Sequence, residues 1–582
     1  MRAPILLRQA SALLRVVAGH VSDDPVHFGM QVFRRLPPRA SRLMSAALRR
    51  VPGPAAEASS AWLKGDVASA ADFAVARPAR GWQARFLGEL AVSMGDPGTA
   101  RMRANALAGT TAGARLSSRI LWHEGRMSEA VAAAPPSAMR TRLSSELAVF
   151  RPEWDPSTAG NGAVPTPRSV PKASVLFALT NSLPVTQSGY TLRSHAVLTA
   201  VRDAGLGVLA TNRTGYPTAV GRAVRCDRAT VDGIPYLYDV PASLGRTPAA
   251  RLDQQASFLR RAAEASGAAV LHTTTHFTNG LVARSVARDL ELPWVYEVRG
   301  SLEDTWASAR GGMEQDARNS ERFQLFRARE AEVARSADAV VTLGHTMAAE
   351  LVERGVDRER IVVAPNSVGS EVLAADWQAP ASAVRAELGL PARGIWVGTA
   401  ASVVGYEGLD VLVDAVRAAR TSGVDIRLLV VGDGVDLPHL RQRAADLGDS
   451  AVFTGRVRPE LAQTYVRGLD VFVVPRKDVA VCRKITPLKP AEAGGLGRAV
   501  VLSDLPALAE ALPADSRRLV RPESAEELSG ALIGLAEDPD ERKRLGEFAR
   551  RWVEENRTWT SVGESYGRMY EEIGADVRMV SR

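Results

Sequence analysis

From Ser174 onward, short apolar runs alternate with longer stretches whose apolar residues recur every three or four positions. Ser174–Leu179, Val208–Thr211, Ala269–His272, Trp294–Val298, Ala339–Thr342 and Ile361–Ala364 are the runs, each about one strand long. Thr191–Ala204, Gly280–Leu290 and His345–Arg354 are helical intervals between them. Continuous apolar runs separated by helices predict a parallel sheet with both faces covered. A second series begins at Ile395, with strands at Trp396–Thr399, Ile426–Val431, Ala451–Thr454, Val471–Val474 and Ala499–Leu502. Two consecutive doubly wound α/β domains are therefore expected, facing one another across a cleft at their carboxyl strand edges.

The first 150 residues have a different rhythm. They are Ala-rich and purely helical in period, with breaks at Pro37-Pro38, Val51-Pro-Gly-Pro54 and Pro135-Pro136. Stretches such as Ala61–Ala76 and Ala84–Met94 suggest a small bundle or helical repeats, without a firm repeat period. Residues 151–172 are rich in Pro, Gly, Ser and Thr and read as a linker. The expected division is a helical extension (1–150), the linker, a first Rossmann-like domain (173–375) and a second (376–582) ending in a helix that packs back.

Charge separates these parts. The chain is +8 overall, yet residues 1–150 hold 20 Lys and Arg against 10 Asp and Glu, so the remainder is slightly acidic. Nine arginines fall in the first 50 residues against Asp23 and Asp24. The basic character belongs to an arm, which points away from general nucleic-acid binding and toward an anionic surface. On that arm Leu6, Leu7, Ala10, Leu13, Leu14 and Val17 share a helical face, and Arg34, Arg35, Arg39, Arg42, Arg49 and Arg50 follow among Leu43, Met44, Ala47 and Leu48. This pattern predicts attachment to an anionic membrane on its cytoplasmic side, the alternative being that the apolar face packs on the helices behind it. No apolar run reaches the about 18 residues of a membrane span, and the N-terminus lacks the pattern of a secretory signal. Cys226 and Cys482 form no metal-binding or CxxC spacing and are expected as free thiols in a reducing compartment.

The most specific stretch is Thr486-Pro-Leu-Lys-Pro-Ala-Glu-Ala-Gly-Gly-Leu-Gly497, followed by Arg498-Ala-Val-Val-Leu-Ser-Asp504. With Val430-Val-Gly-Asp-Gly434, Phe453-Thr-Gly-Arg456, Asp470–Pro475, Ala337–Val341 and Ala364-Pro-Asn366, it makes residues 172–560 resemble retaining glycosyltransferases of family four. The likeness is to a subgroup whose motif reads TPLKPLEAMALG. The resemblance implies the GT-B fold and a nucleoside-diphosphate-sugar donor. It also implies front-face transfer with retention, no bound metal, and a glycan, lipid-linked or small-molecule acceptor.

Site residues follow from the same match. Glu492 falls where the family's carboxylate holds the donor ribose. Thr486 is placed to cap the following helix, and Pro487 and Leu488 complete the turn toward the diphosphate, where helix N–H groups attract an anion. The family's first glutamate falls at Lys484, and its donor-loop Arg and Lys fall at Ser402 and Glu407. Arg476, Lys477, Arg483, Lys484 and Lys489 are near enough in sequence to compensate, with Lys484 and Lys489 the leading candidates for stabilising leaving-group charge. In the first domain Asn181–Tyr190 resembles the family's first loop, which lies over the cleft and whose motif ends in GGY; Gly189 would let backbone approach a ligand closely, Ser188 stands where the family has the preceding glycine, and Arg193 is an acceptor-side candidate. His272 and His276 flank the position of the family's imidazole, which is Thr274 here, and Arg299 resembles an acceptor-side arginine. The substitutions at 274, 402, 407 and 484 leave open a non-catalytic sugar-nucleotide-binding relative; an epimerase of the same fold is a third reading.

Overall fold

The computed structural model describes residues 3–23, 26, 28–29, 38–64, 66–76, 78–159 and 170–577. Arg34, Arg35 and Pro37 of the arm and 160–169 of the linker lie outside them, as do the side chains of Leu6, Arg39 and Arg42.

The extension is helical throughout its described residues. α1 (Ala3–Asp23) and α2 (Pro38–Leu48) precede α3 (Pro54–Leu63), α4 (Val67–Ala76), α5 (Gly81–Met94), α6 (Pro97–Asn105), α7 (Thr111–His123), α8 (Met127–Ala133) and α9 (Ala138–Phe150). The single interval read from Ala61 to Ala76 is two helices, because α3 ends at Leu63 and Asp66 caps a new start by accepting from the Ser69 N–H at 3.0 Å. The last two helices are not a separate body. Met127, Leu147, Val149 and Phe150 join the core of the first α/β domain, and the Phe150 ring meets Phe277 at 5.1 Å and Phe326 at 5.6 Å, edge to face. The start of the linker is strapped to the same domain: Arg284 pairs with Asp155 at 2.5 Å and Arg329 donates to the Pro152 carbonyl at 3.2 Å.

The first sheet holds β1 (Val175–Leu179), β2 (Val208–Asn212), β3 (Arg228–Val231), β4 (Ile234–Leu237), β5 (Val270–Thr274), β6 (Trp294–Val298), β7 (Ala339–Thr342) and β8 (Ile361–Val363), in the order 3-4-2-1-5-6-7-8. All neighbours are parallel except the β3–β4 hairpin. That hairpin was not legible in the sequence: its edge strand carries Arg228 and Thr230 and lacks an apolar run, as edge strands do. The second sheet, β9 (Ile395–Ala400), β10 (Ile426–Val431), β11 (Ala451–Gly455), β12 (Val471–Val474), β13 (Ala499–Ser503) and β14 (Arg517–Val520), is wholly parallel in the order 11-10-9-12-13-14. β14 also escaped the hydrophobic pattern, having two arginines in four residues.

Helix α10 (Gly189–Asp203) follows β1, α11 (Phe277–Leu290) follows β5, α12 (Leu302–Ser308) and α13 (Glu321–Ser336) follow β6, and α14 (His345–Glu353) follows β7. In the second domain α15 (Lys489–Gly495) follows β12. The final helix, α16 (Trp559–Glu572), crosses back to the first domain, where Val562, Tyr566, Met569 and Tyr570 are buried with Phe177, Val197 and Val201.

Candidate functional site in the interdomain cleft

Three of the sequence-derived candidates converge on one buried carboxylate instead of on the cleft. Glu297, fully buried on β6, accepts from Arg193 at 2.8 Å and from Arg299 at 2.6 Å, and His272 Nε2 lies 3.5 Å away. Burial pushes the Glu297 carboxyl up, but Arg299 and Arg193 more than offset this and hold it well below the usual range. His272, itself fully buried, stacks on Phe177 at 4.6 Å and Tyr566 at 5.5 Å, and shares a 2.7 Å hydrogen bond with the Tyr570 hydroxyl. Burial depresses its pKa, so the ring is a neutral core group. It is therefore not a cleft imidazole. Strand alternation turns it inward, against the returning helix α16.

Arg193 is likewise not free to touch an acceptor. Besides Glu297 it donates to the carbonyls of Ala364 and Pro365 and to Asn366 Oδ1, at 2.8, 3.2 and 3.1 Å. It fastens the segment after β8, and Asn366 in turn donates to the Thr486 carbonyl of the second domain at 2.9 Å. Arg299 donates to Ser194 Oγ at 2.6 Å and supports the start of α10. Both arginines are thus positioning groups behind the cleft wall.

His276 remains near the cleft. It caps α11 after β5, its ring accepting from the Thr278 N–H, and its pKa is pushed down to about 4 by burial and by Arg213 and Arg322, so it is neutral near pH 7. Gly189 has open space where a Cβ would stand, so no close approach requires glycine there. The departure just before it has a structural reason: Ser188 makes a capping box with Thr191. Tyr190, the next residue, is exposed at the cleft with its hydroxyl against Gly300, and the exposed Tyr406 lies on the opposing domain. Neither tyrosine is assigned a role from the sequence.

In the second domain, the loops after β9, β10 and β12 meet backbone to backbone. A Cβ at Gly408 would sit 1.8 Å from the Pro475 carbonyl oxygen, and at Gly432 1.8 Å from that of Ala401. This packing brings Glu407, Arg476 and Lys489 together. Arg476 Nη2 and Lys489 Nζ lie 3.1 and 2.6 Å from the Glu407 carboxylate. Burial raises the Glu407 pKa, but Lys489 and Arg476 overcome it and bring it to about 2. Glu407, the residue that replaces a family cation, is thus the counter-ion of two others. An ammonium carries three N–H donors, so Lys489, 2.6 Å from one oxygen of Glu407, retains N–H groups for another acceptor. The triad carries one net positive charge.

The other cations are committed elsewhere. Lys477 pairs with Asp410 at 2.6 Å and Arg483 with Asp478. Lys484 crosses the cleft, reaching Asp304 at 2.9 Å and Glu350 at 3.0 Å on the first domain. Its position makes it an interdomain clasp. Thr486 does not cap a helix: α15 starts at Lys489, with Leu488 at the cap position and no side-chain cap. The Thr486 hydroxyl donates instead to Glu510 at 2.7 Å, and Glu510 accepts from the backbone N–H of His345 at 2.7 Å. Glu510 thus caps α14 of the facing domain, a role invisible in sequence because His345 lies 165 residues away. Pro487 is buried in this turn and Ser402 is exposed on the loop after β9. With only seven residues, α15 has a small dipole, and side-chain charge carries the local field.

Glu492, in the first turn of α15, is raised to about 7 by burial and by the neighbouring Glu371, with Lys489 opposing. Among the described residues no group of His, Cys, Asp and Glu is arranged to hold a metal ion.

Two family models match these domains. Residues 188–367 match the glycosyl transferase 4-like domain and residues 393–538 match glycosyl transferases group 1. Among solved structures, the chain is similar to sucrose-phosphate synthase from Thermosynechococcus elongatus (TM-score 0.55, 19% identity, 69% of this chain and 99% of the other). It is also similar to Anabaena HepE in complex with UDP (TM-score 0.53, 15% identity, 69% and 100%). The chain has the GT-B fold. Among curated proteins, the phosphatidyl-myo-inositol mannosyltransferase of Mycolicibacterium smegmatis is 32% identical over 176 residues, 30% of this chain and 44% of the relative. An uncharacterized glycosyltransferase of Methanocaldococcus jannaschii is 28% identical over 151 residues, 25% and 37%. The alignments span less than half the length of the curated relatives that they match.

Proposed function

We propose that the protein transfers a hexosyl group from a nucleoside-diphosphate sugar to an acceptor hydroxyl with retention of configuration. The observation that carries the reading is the buried Glu407–Arg476–Lys489 triad beside Glu492, at the carboxyl edge of the second sheet and facing the first domain. Lys489 offers its ammonium to the diphosphate, Arg476 keeps the triad positive, and Glu492 accepts the ribose hydroxyls. The acceptor oxygen attacks the anomeric carbon as the bond to the diphosphate oxygen breaks, and the acceptor proton passes to the departing phosphate. The neutral His276 and the two exposed tyrosines face the sugar and acceptor. Orientation and preorganised charge supply the rate. UDP release on adding an acceptor separates transfer from nucleotide binding alone, and the anomeric proton coupling of the product reports retention.

The ribose assignment has its own test. Glu492→Ala is expected to weaken UDP binding by about 1.5–3 kcal/mol in calorimetry, the usual worth of a hydrogen bond to a charged group. Because the ionised carboxylate is the better acceptor and its pKa is near 7, affinity should also rise with pH through that range. In Glu492→Gln that part of the pH dependence should vanish. An unchanged affinity in a folded Glu492→Ala variant removes the glutamate from the site.

We further propose that α1 and α2 hold the enzyme on the cytoplasmic face of an anionic membrane, which suits a lipid-linked or envelope-glycan acceptor. Helix α1 docks on the first domain by Ile5, Gln9 and Ala12; Gln9 bonds both backbone groups of Val224 and Arg15 donates to the Leu244 carbonyl. The face bearing Leu7, Ala10 and Leu14 is left exposed, with Leu7 and Leu14 at 71% and 70%, and Leu43 on α2 is 73% exposed. Exposed leucines beside arginines fit a headgroup boundary. Among the described residues no helix is long and apolar enough to cross a membrane. The protein should pellet with vesicles of phosphatidylglycerol and phosphatidylcholine and release at high salt. Leu7→Glu/Leu14→Glu should stay in the supernatant, and equal pelleting of the two proteins defeats the idea.

A further inference from the structure

The seam between the helical extension and the first Rossmann-like domain forms an open cavity of about 490 Å3, inside the roughly 300–1,000 Å3 range of small-ligand sites. Its walls come from both bodies. Arg119 and Trp122 of α7 and Arg142 of α9 face Trp306 of α12, Arg310 just beyond it and Arg322 of α13. The wall is built closely: the Arg322 N–H donates to the Gly125 carbonyl at 2.9 Å, and a Cβ on Gly125 would stand 2.9 Å from the Trp306 ring.

Among the described residues the lining is net positive: four guanidinium groups stand in it with one carboxylate, Glu146, 3.5 Å from Arg142 and 3.8 Å from Arg322, and Glu89 lies 3.8 Å from Arg119. Glu89 is shared with Arg85, which holds it more tightly at 2.9 Å. Arg310 and Arg322 both lie over the Trp306 ring, at 4.7 and 5.5 Å; burial lowers the basicity of both, and Arg322 lowers that of Arg310 further, while Glu146 opposes the burial of Arg322. His123 adds no charge, since burial, Arg310 and Arg119 bring its pKa to about 4; its buried Nε2 has no hydrogen-bond partner among the described residues. A pocket that gathers like charges, keeps an imidazole nitrogen unpaired and leaves two indole rings in its wall is arranged for an anion with an apolar ring face.

We propose that this cavity binds an anionic saccharide, its carboxylate or phosphate held by Arg142, Arg310 and Arg322 and its ring against Trp122 or Trp306. The site is separate from the donor cleft, so it stands whether or not the donor reading does.

Calorimetry on the full-length protein with saturating UDP tests it, using digalacturonate, glucose 6-phosphate, maltose and inorganic phosphate as probes. At least one acidic sugar should bind, the one preferred telling carboxylate from phosphate, while maltose and inorganic phosphate bind at least tenfold more weakly. Arg310→Glu and Arg142→Glu should each weaken that binding tenfold or more with little change in Tm; Arg310→Gln, a milder change, should weaken it severalfold. Failure of both acidic sugars to bind overturns the proposal. So does equal binding of maltose or inorganic phosphate, or affinity unmoved by the folded Arg310 variants.

Discussion

Glu297→Ala is expected to destabilise the protein by about 3–5 kcal/mol, the cost of leaving a buried charge without its partner. Here two charges are stranded, since Arg193 and Arg299 both rest on that carboxylate within 3 Å and are almost wholly buried. His272 also loses its neighbour beneath the Tyr566 and Tyr570 rings of α16. The melting temperature should fall by roughly 6–20 °C for a domain of this size. A shift of a degree or two shows that the arginines find other acceptors and that the network is not what holds the wall of the cleft. The experiment separates Arg193 and Arg299 from the chemistry: a structural role predicts loss of stability at every substrate concentration, whereas an acceptor-contact role predicts a raised acceptor KM with unchanged Tm.

The second large effect concerns Lys489. Lys489→Ala is expected to lower kcat about 100-fold, near 2.7 kcal/mol, with a much smaller change in donor affinity. A preorganised cation counts most when the leaving group gains charge. The substitution also takes the triad from one net positive charge to none, since Glu407 and Arg476 remain paired. Lys489→Arg should restore part of the rate. Lys484→Ala should behave differently: Lys484 meets Asp304 and Glu350 across the cleft, so its loss should raise donor KM by loosening the clasp and leave the transition-state interaction largely intact. Full kcat in Lys489→Ala would mean that the triad is a structural ion pair.

How far the site could be read from the chain depends on which interactions are local. The stretch from Thr486 to Gly497 placed Lys489 and Glu492 on one short helix, because helical spacing is a property of neighbouring residues. The same stretch misassigned Thr486, whose partner Glu510 belongs to another turn and whose effect is felt on α14 of the other domain. Glu407 stood in the chain as a lost cation; only its distance to Arg476 and Lys489 showed it to be their counter-ion. His272 looked like a site residue because it ends an apolar run, and strand alternation together with α16 put it in the core.

The sequence by itself determined the two parallel sheets, the helical character of the extension and the segments that form the cleft. Apolar periodicity and turn residues are local signals, and burial on both faces of a parallel strand leaves a plain mark. Only the tertiary structure decided which charges are spent. Coulombic pairing falls off over a few ångströms and ignores sequence separation, so Lys484 with Asp304, 180 residues apart, could not be read from either segment. The edge strands β3 and β14 were also decided there, since a half-solvated strand is held by its neighbour's backbone and not by its own side chains. The joint between the extension and the first domain is likewise tertiary: the linker's composition promised a loose tether, and the burial of Phe150 against Phe277 and Phe326 made the two bodies share a core.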